Sequence, residues 1–284
     1  MMRTKFLAAA GGMVVAALAL TGCAGGAAGS AEGSVAEDCQ PRDEIGTIAE
    51  GKLTVALTNT PPYSLEEDGQ VSGIDGEIAK RFAEAECLSI AYAPYTYATA
   101  IPAIEQARAD IALGGFYRTA ARADVVTLSA PLYLDELSVY SDGGYQSVDE
   151  LLGKKIGTVE GYLWVSDLQA LPGTETTVYA DSLALAQDLK AGRIDAALDG
   201  YGAATIATQG EDYEIEVLAE DDRVASTNEP SQASVLLDPE NAELAEAFDS
   251  FVEELREDGT LVEILAGYDL PASAAETGEA RVIE

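Results

Sequence analysis

RADIALGGFY, Arg108–Tyr117, returns later in the chain as RIDAALDGYG, Arg193–Gly202. Each copy opens on Arg and Asp, runs through an apolar stretch containing Ala and Leu, and closes on a glycine beside an aromatic ring. The pattern reads as a helix end, a tight turn, a buried strand, and then an open carboxyl edge. In open α/β sheets, ligands sit just beyond the carboxyl ends of strands. A glycine there lets backbone approach a ligand, and a ring supplies contact area. Two copies imply two α/β lobes, and a cleft if their edges face one another.

The flanking sequence repeats the same plan. GKLTVALTNTPPY (Gly51–Tyr63) begins as a β-rich run and ends in a Pro-Pro turn. In GIDGEIAKRFAEAE, Ile74, Ile78 and Phe82 recur every fourth residue and line one helical face. YATAIPAIEQARA is a second helical stretch leading into the strand DIALGG, so the expected order is strand, helix, helix, strand. GKKIGTVEGY (Gly153–Tyr162) again runs from Gly-Lys into a strand and a turn. The helical stretch LWVSDLQAL, the short strand TTVYA and the helix SLALAQDLKAG then precede RIDAALDGYG. Near the end, ASVLLD is strand-like, and NAELAEAFDSFVEELREDG places Leu244, Phe248, Phe251 and Leu255 on one helical face. Asn241 is its cap and Gly259 its stop.

Composition narrows the function classes. The 284 residues are 48% hydrophobic, enough for a sizeable core in one or two domains. Fifty acids against 16 bases argue against nucleic acid and against a polybasic membrane patch. Histidine is absent, which excludes imidazole catalysis or zinc binding through imidazole. Abundant acids make a run such as Glu220–Asp222 a solvated loop rather than a metal site; no metal or cofactor is expected.

Residues 1–22 carry Arg3 and Lys5, then an apolar core, then Leu20-Thr21-Gly22-Cys23. This resembles a bacterial lipoprotein signal, which implies cleavage before Cys23, its lipidation, and attachment to the outer face of the cytoplasmic membrane through the lipid alone. Residues 23–44 read as a flexible tether. Cys39 and Cys87 would then lie in an oxidising compartment, where a disulfide is expected and two buried thiols are the alternative.

GKLTVALTNTPPY, GIDGEIAKRF, IPAIEQARADIALGGFYRTAAR, LSAPLY, LLGKKIGTVEGY, AGRIDAALDG and AFDSFVEELREDGTLVEIL occur in one order over about Gly51–Leu270. The set resembles the periplasmic solute-binding proteins of polar amino-acid ABC importers, family 3. The resemblance implies an α/β, two-lobed periplasmic-binding-protein fold of type II, with mixed sheets flanked by helices and two hinge strands. Lobe 1 is placed at 45–138 plus 235–270, lobe 2 at 143–230, and a disordered tail at 271–284. It also implies a monomer that closes on its ligand and delivers it to a membrane permease. Arg122, in the T-x-x-R turn headed by Thr119, stands where the family clamps a carboxylate.

Further expected ligand positions are Thr60, Tyr63, Tyr97, Gly115, Phe116, Tyr117, Glu160, Gly161, Tyr162, Trp164, Asp199 and Tyr201. Three departures stand out. Tyr117 replaces a small hydroxyl residue. Gly161-Tyr162-Leu163 replaces Gly-Thr-Thr. The aspartate that pairs the ligand ammonium in amino-acid binders falls at Gly200, with Asp199 one residue early. A bulge at the strand end could bring Asp199 into reach. The rings suggest an aromatic box for a methylated ammonium or an amidinium. The expected cargo is a small zwitterion, with ectoine-like or betaine-like solutes and modified amino acids as alternatives. A dehydratase-type enzyme using Glu160 or Asp199, and a sensor without a permease, are the rival classes.

Overall fold

The computed structural model describes residues 30–32, 35 and 38–283. Cys23 and the rest of the expected signal lie outside the described residues. In chain order the elements are β1 (Ser30–Glu32), β2 (Lys52–Leu57), the hairpin β3 (Leu65–Glu67) and β4 (Gln70–Ser72), α1 (Ile74–Ala85), β5 (Ser89–Pro94), α2 (Tyr97–Glu105), β6 (Ile111–Tyr117), α3 (Ala120–Ala123), β7 (Thr127–Leu128) and β8 (Leu134–Asp135). The second half adds β9 (Leu137–Ser141), α4 (Val148–Leu151), β10 (Lys155–Val159), α5 (Val165–Ala170), β11 (Glu175–Tyr179), α6 (Ser182–Lys190), β12 (Ala196–Gly200), α7 (Tyr201–Ala207) and β13 (Glu214–Val217). The chain then returns through β14 (Ser231–Leu237), α8 (Ala242–Glu257) and α9 (Thr260–Gly267).

Two mixed sheets result. The first runs β1-β5-β2-β6-β14-β7, with β8 paired to β14; the second runs β11-β10-β12-β9-β13. The two repeated decapeptides are the central strands β6 and β12, and their shared Asp has one task. Asp110 accepts hydrogen bonds from the amides of Ile48 (2.9 Å) and Thr54 (2.7 Å), and Asp195 accepts one from the amide of Lys155 (2.8 Å). Each carboxylate thus ties the loop entering the central strand to the start of its parallel neighbour, β2 or β10. The Arg-x-Asp half of the repeat is a register device, and the glycine half faces the cleft.

The chain differs from expectation in three places. SIAYAP forms β5, parallel to β2, so a strand separates the two helices that were expected to follow one another. Its alternating burial is the half-covered pattern of a strand near a sheet edge. The crossings also shift: β9 already belongs to the second sheet and β14 to the first, so the chain changes lobe near Glu136 and just before Ser231. The paired segments β8 and β14 form the double crossing.

Third, the two stretches expected to be free are held. Ser30–Glu32 adds an antiparallel edge strand to β5. The C-terminal segment, expected to be disordered, lies along the double crossing instead. Gln232 donates to the carbonyls of Thr277 and Glu279 and accepts from the amide of Arg281. Ile283 bonds through both backbone groups to Arg118 and Ala120. Polar residues with few apolar neighbours can still be ordered when a buried glutamine needs their backbone as partners.

Helix α8 packs on lobe 1, where Phe248 and Phe251 meet Phe82 edge-on with ring centroids 5.0 and 5.7 Å apart. A second core joins Ala56, Tyr97, Phe116 and Tyr117 of lobe 1 to Val139, Tyr162 and Leu198 of lobe 2. The lobes are therefore closed against one another. No helix among the described residues is long and apolar enough to cross a membrane.

Candidate functional site

The carboxyl ends of β6 and β12 face each other across the closed cleft. A small cavity there is lined by Thr60, Tyr63, Tyr97, Gly114, Gly115, Tyr117, Arg122, Asp135, Tyr162, Leu163, Trp164 and Gly200. Gly115 and Gly200 occupy equivalent places in the two copies of the repeat, so each lobe presents one glycine to the cavity. Gly115 has φ +62°, and a Cβ on it would come within 2.9 Å of the Tyr63 ring. A side chain there would be strained and would also push that ring aside.

Arg122 is 7% exposed and makes no ion pair among the described residues. Thr119 caps its turn by accepting the Arg122 amide through its hydroxyl at 3.2 Å. The guanidinium donates through Nη1 to the Tyr117 carbonyl (2.7 Å) and through Nη2 to the Gly161 carbonyl (3.4 Å) of the other lobe. Its Cζ lies 5.4 Å from the Tyr97 ring centroid and 5.5 Å from that of Phe116. Cation–π contacts and two carbonyls hold the group in place while leaving N–H donors free for a planar anion.

The rings close the cavity by packing on one another. Tyr97 meets Tyr162 edge-on at 4.7 Å, Tyr162 meets Trp164 at 5.0 Å, and Tyr117 lies 5.8 Å from Trp164. Trp164 donates to the Thr158 hydroxyl, and Tyr162 to Asp199. In this closed arrangement the free volume is about 10 Å³, the scale of a single water. A larger solute enters only when the lobes part.

Asp135 was not among the positions expected from sequence. It is 5% exposed and accepts hydrogen bonds at Oδ2 from the hydroxyls of Tyr63 (2.6 Å) and Tyr117 (2.7 Å). Burial pushes its carboxyl above the usual range, against hydrogen bonds that favour the anion. Asp75 was also missed. Its carboxylate takes the amides of Gly114 and Gly115 and the Tyr133 hydroxyl, which fixes the carboxyl end of β6. The one sequence signal for Asp75 was an acid in the first turn of a helix.

Residues 53–270 match the bacterial extracellular solute-binding proteins, family 3. The chain belongs to this family. Over 222 residues this solute-binding protein is 27% identical to the L-cystine-binding protein TcyJ of Escherichia coli K12, covering 74% of the chain and 80% of the relative. It is 23% identical over 221 residues to the lysine/arginine/ornithine-binding periplasmic protein of E. coli K12, covering 74% and 83%. Among solved structures it resembles the amino-acid ABC transporter substrate-binding protein AbpA of Streptococcus pneumoniae bound to L-arginine. That match has a TM-score of 0.70 and 25% identity, covering 79% of this chain and 96% of that one.

Of the expected positions in this solute-binding protein, Thr60, Tyr63, Tyr97, Gly115, Tyr117, Arg122, Tyr162 and Trp164 line the cavity. Phe116, Thr119 and Gly161 sit behind it and hold Arg122. Three others are corrected in position. Glu160 is exposed and outside the cavity lining. Tyr201 is 41% exposed, because the second copy turns into α7 at this residue while the first continues as strand through Tyr117. Asp199 is buried behind Tyr162 and bonds to its hydroxyl (3.0 Å) and to the Gly200 amide (2.9 Å). No bulge turns it into the cavity.

Burial pushes the Asp199 carboxyl up to about 7, partly offset by Ser182, Tyr162 and the Gly200 amide. Asp75 is likewise pushed up to about 6 by burial. Both exceed the ordinary aspartate value of about 3.9, so the folded chain holds protons that the unfolded chain has released. The stability this contributes is complete below about pH 4 and is lost as pH rises through 6 and 7. Urea unfolding between pH 4 and 8 is expected to show that decline in wild type. Asp199→Asn should flatten it by on the order of a few kcal/mol. A parallel decline in the variant would show that Asp199 titrates alike in both states.

Proposed function

We propose that this protein is the lipid-anchored binding component of an ABC importer for a small zwitterionic solute, an amino acid or a close analogue. The observation that carries this reading is Arg122, a buried guanidinium without an anionic partner among the described residues, set between two lobes at the ends of their central strands. A carboxylate matches its fork in two parallel hydrogen bonds. Relatives named for binding cystine and lysine, arginine or ornithine support an amino-acid cargo. Solute contacting both lobes stabilises the closed state by its differential affinity, and a permease can read that closure. The Leu20–Cys23 motif supports the anchor, and the protein acts as a monomer.

The five rings of the cavity favour, as a second reading, a compatible solute with a methylated or amidinium cation. Thermal shift separates the two, with the standard amino acids, cystine and ornithine set against ectoine, glycine betaine and carboxylate-free sugars. An amino acid should raise the melting temperature most. Stabilisation by sugars alone would overturn the proposal.

A further inference from the structure

We infer that Asp135, delivered by the crossing strand β8, is the acid that pairs with the ammonium group of the bound solute. The inference rests on the reading of the cleft as a zwitterion site.

Asp135 lines the same cavity as Arg122. It is buried, and no lysine or arginine among the described residues pairs with it. Two phenols donate to its Oδ2, and the Gly202 amide approaches Oδ1 at 3.5 Å. These donors orient the carboxylate without neutralising it. A buried anion lacking a cation is unfavourable unless a partner arrives to match it.

The neighbouring acids do not reach the cavity. Asp75 is taken up by two amides and the Tyr133 hydroxyl. Asp199 accepts from Tyr162 and Gly200 at Oδ1, while its Oδ2 is buried behind Tyr162 without a hydrogen-bond partner among the described residues; neither acid lines the cavity. Gly200 shows why the acid stands at 135. A Cβ at Gly200 would collide with Asp135 Oδ2 and come within 3.0 Å of the Tyr63 hydroxyl. The Asp135 carboxylate therefore occupies the space a side chain at 200 would need. An acid expected at 200 from the family resemblance has no room there, because the acid on β8 fills that space.

Placement on β8 has a chemical consequence and a mechanical one. A carboxylate already holding two O–H donors selects cations that bring N–H donors of their own, so primary and secondary ammonium groups suit it better than quaternary ones. Its donors come from both lobes, Tyr63 and Tyr117 from one and Gly202 from the other, so a cation on Asp135 is bound where the lobes converge.

Calorimetry on the purified protein tests this. The probes are the amino acid giving the largest thermal shift in wild type and its α-deamino analogue. Asp135→Asn should weaken the amino acid by about tenfold or more and the deamino acid by less than about threefold, so the preference between them collapses. Arg122→Ala should weaken both. Unliganded Asp135→Asn should melt at or above the wild-type temperature, because its amide oxygen still accepts from both phenols while the buried charge is gone; a purely structural Asp135 would instead lower it. A preference that survives Asp135→Asn, or that collapses in Asp199→Asn instead, overturns the inference. If no amino acid binds wild type, the zwitterion reading fails first and this inference goes with it.

Discussion

Arg122→Ala is expected to lose amino-acid binding by about 2–5 kcal/mol, or tens- to thousands-fold in affinity. The guanidinium is pinned by the Tyr117 and Gly161 carbonyls and by the faces of Tyr97 and Phe116, so it reaches an incoming carboxylate already oriented. Pre-orientation reduces the ordering cost of binding, and truncation forfeits both that and the charge. Arg122→Lys keeps the charge but not the planar fork, and should recover only part of the loss. Calorimetric titration of the tightest amino acid measures all three proteins. Circular dichroism of the unliganded variants separates loss of binding from loss of fold. Binding within about threefold of wild type in Arg122→Ala would remove the clamp from the account.

Replacing both Cys39 and Cys87 with serine is expected to destabilise the protein by up to about 4 kcal/mol, from the chain entropy of the loop that the bridge closes. The two cysteines are bonded with Cα atoms 5.8 Å apart and a sequence separation of 48. The bridge ties the entering segment to the end of α1, where Asp43 also donates its amide to Glu86, while Arg42 pairs with Glu254 on α8. At roughly 2–4 °C per kcal/mol for a chain of this size, melting should fall by about 8–16 °C. Scanning calorimetry of wild type with reductant should approach the variant without it. A fall below about 2 °C would mean that the remaining contacts of residues 38–46 hold this edge unaided.

Much of the scaffold was legible before any coordinates. The repeat between β6 and β12 told of two lobes because a buried strand closing on glycine is a local pattern, written in consecutive residues. The helical face of Leu244, Phe248, Phe251 and Leu255 was readable for the same reason. Strand β5 escaped because SIAYAP is short, partly exposed and ends in proline, so its composition does not distinguish it from a loop. The tail escaped because its order comes from a buried Gln232 more than 40 residues away, which no feature of the tail itself announces.

The site divides along the same line. The glycines were visible in sequence because strand ends are local, and Arg122 followed from the family resemblance of its T-x-x-R turn. Glu160, Asp199 and Tyr201 were misplaced because one residue of phase at a strand end decides whether a side chain meets the cleft, the lobe interior or solvent. Asp135 could not be read from its own neighbourhood at all. Its meaning arises from Tyr63, Tyr117, Gly200 and Gly202, which come from different elements and converge only when two lobes close. Sequence by itself determined the lobes and the strand-end glycines, because periodicity and turn chemistry act over a few residues. Tertiary structure alone decided which buried acid faces the cavity, because burial of a charge is settled by everything packed around it.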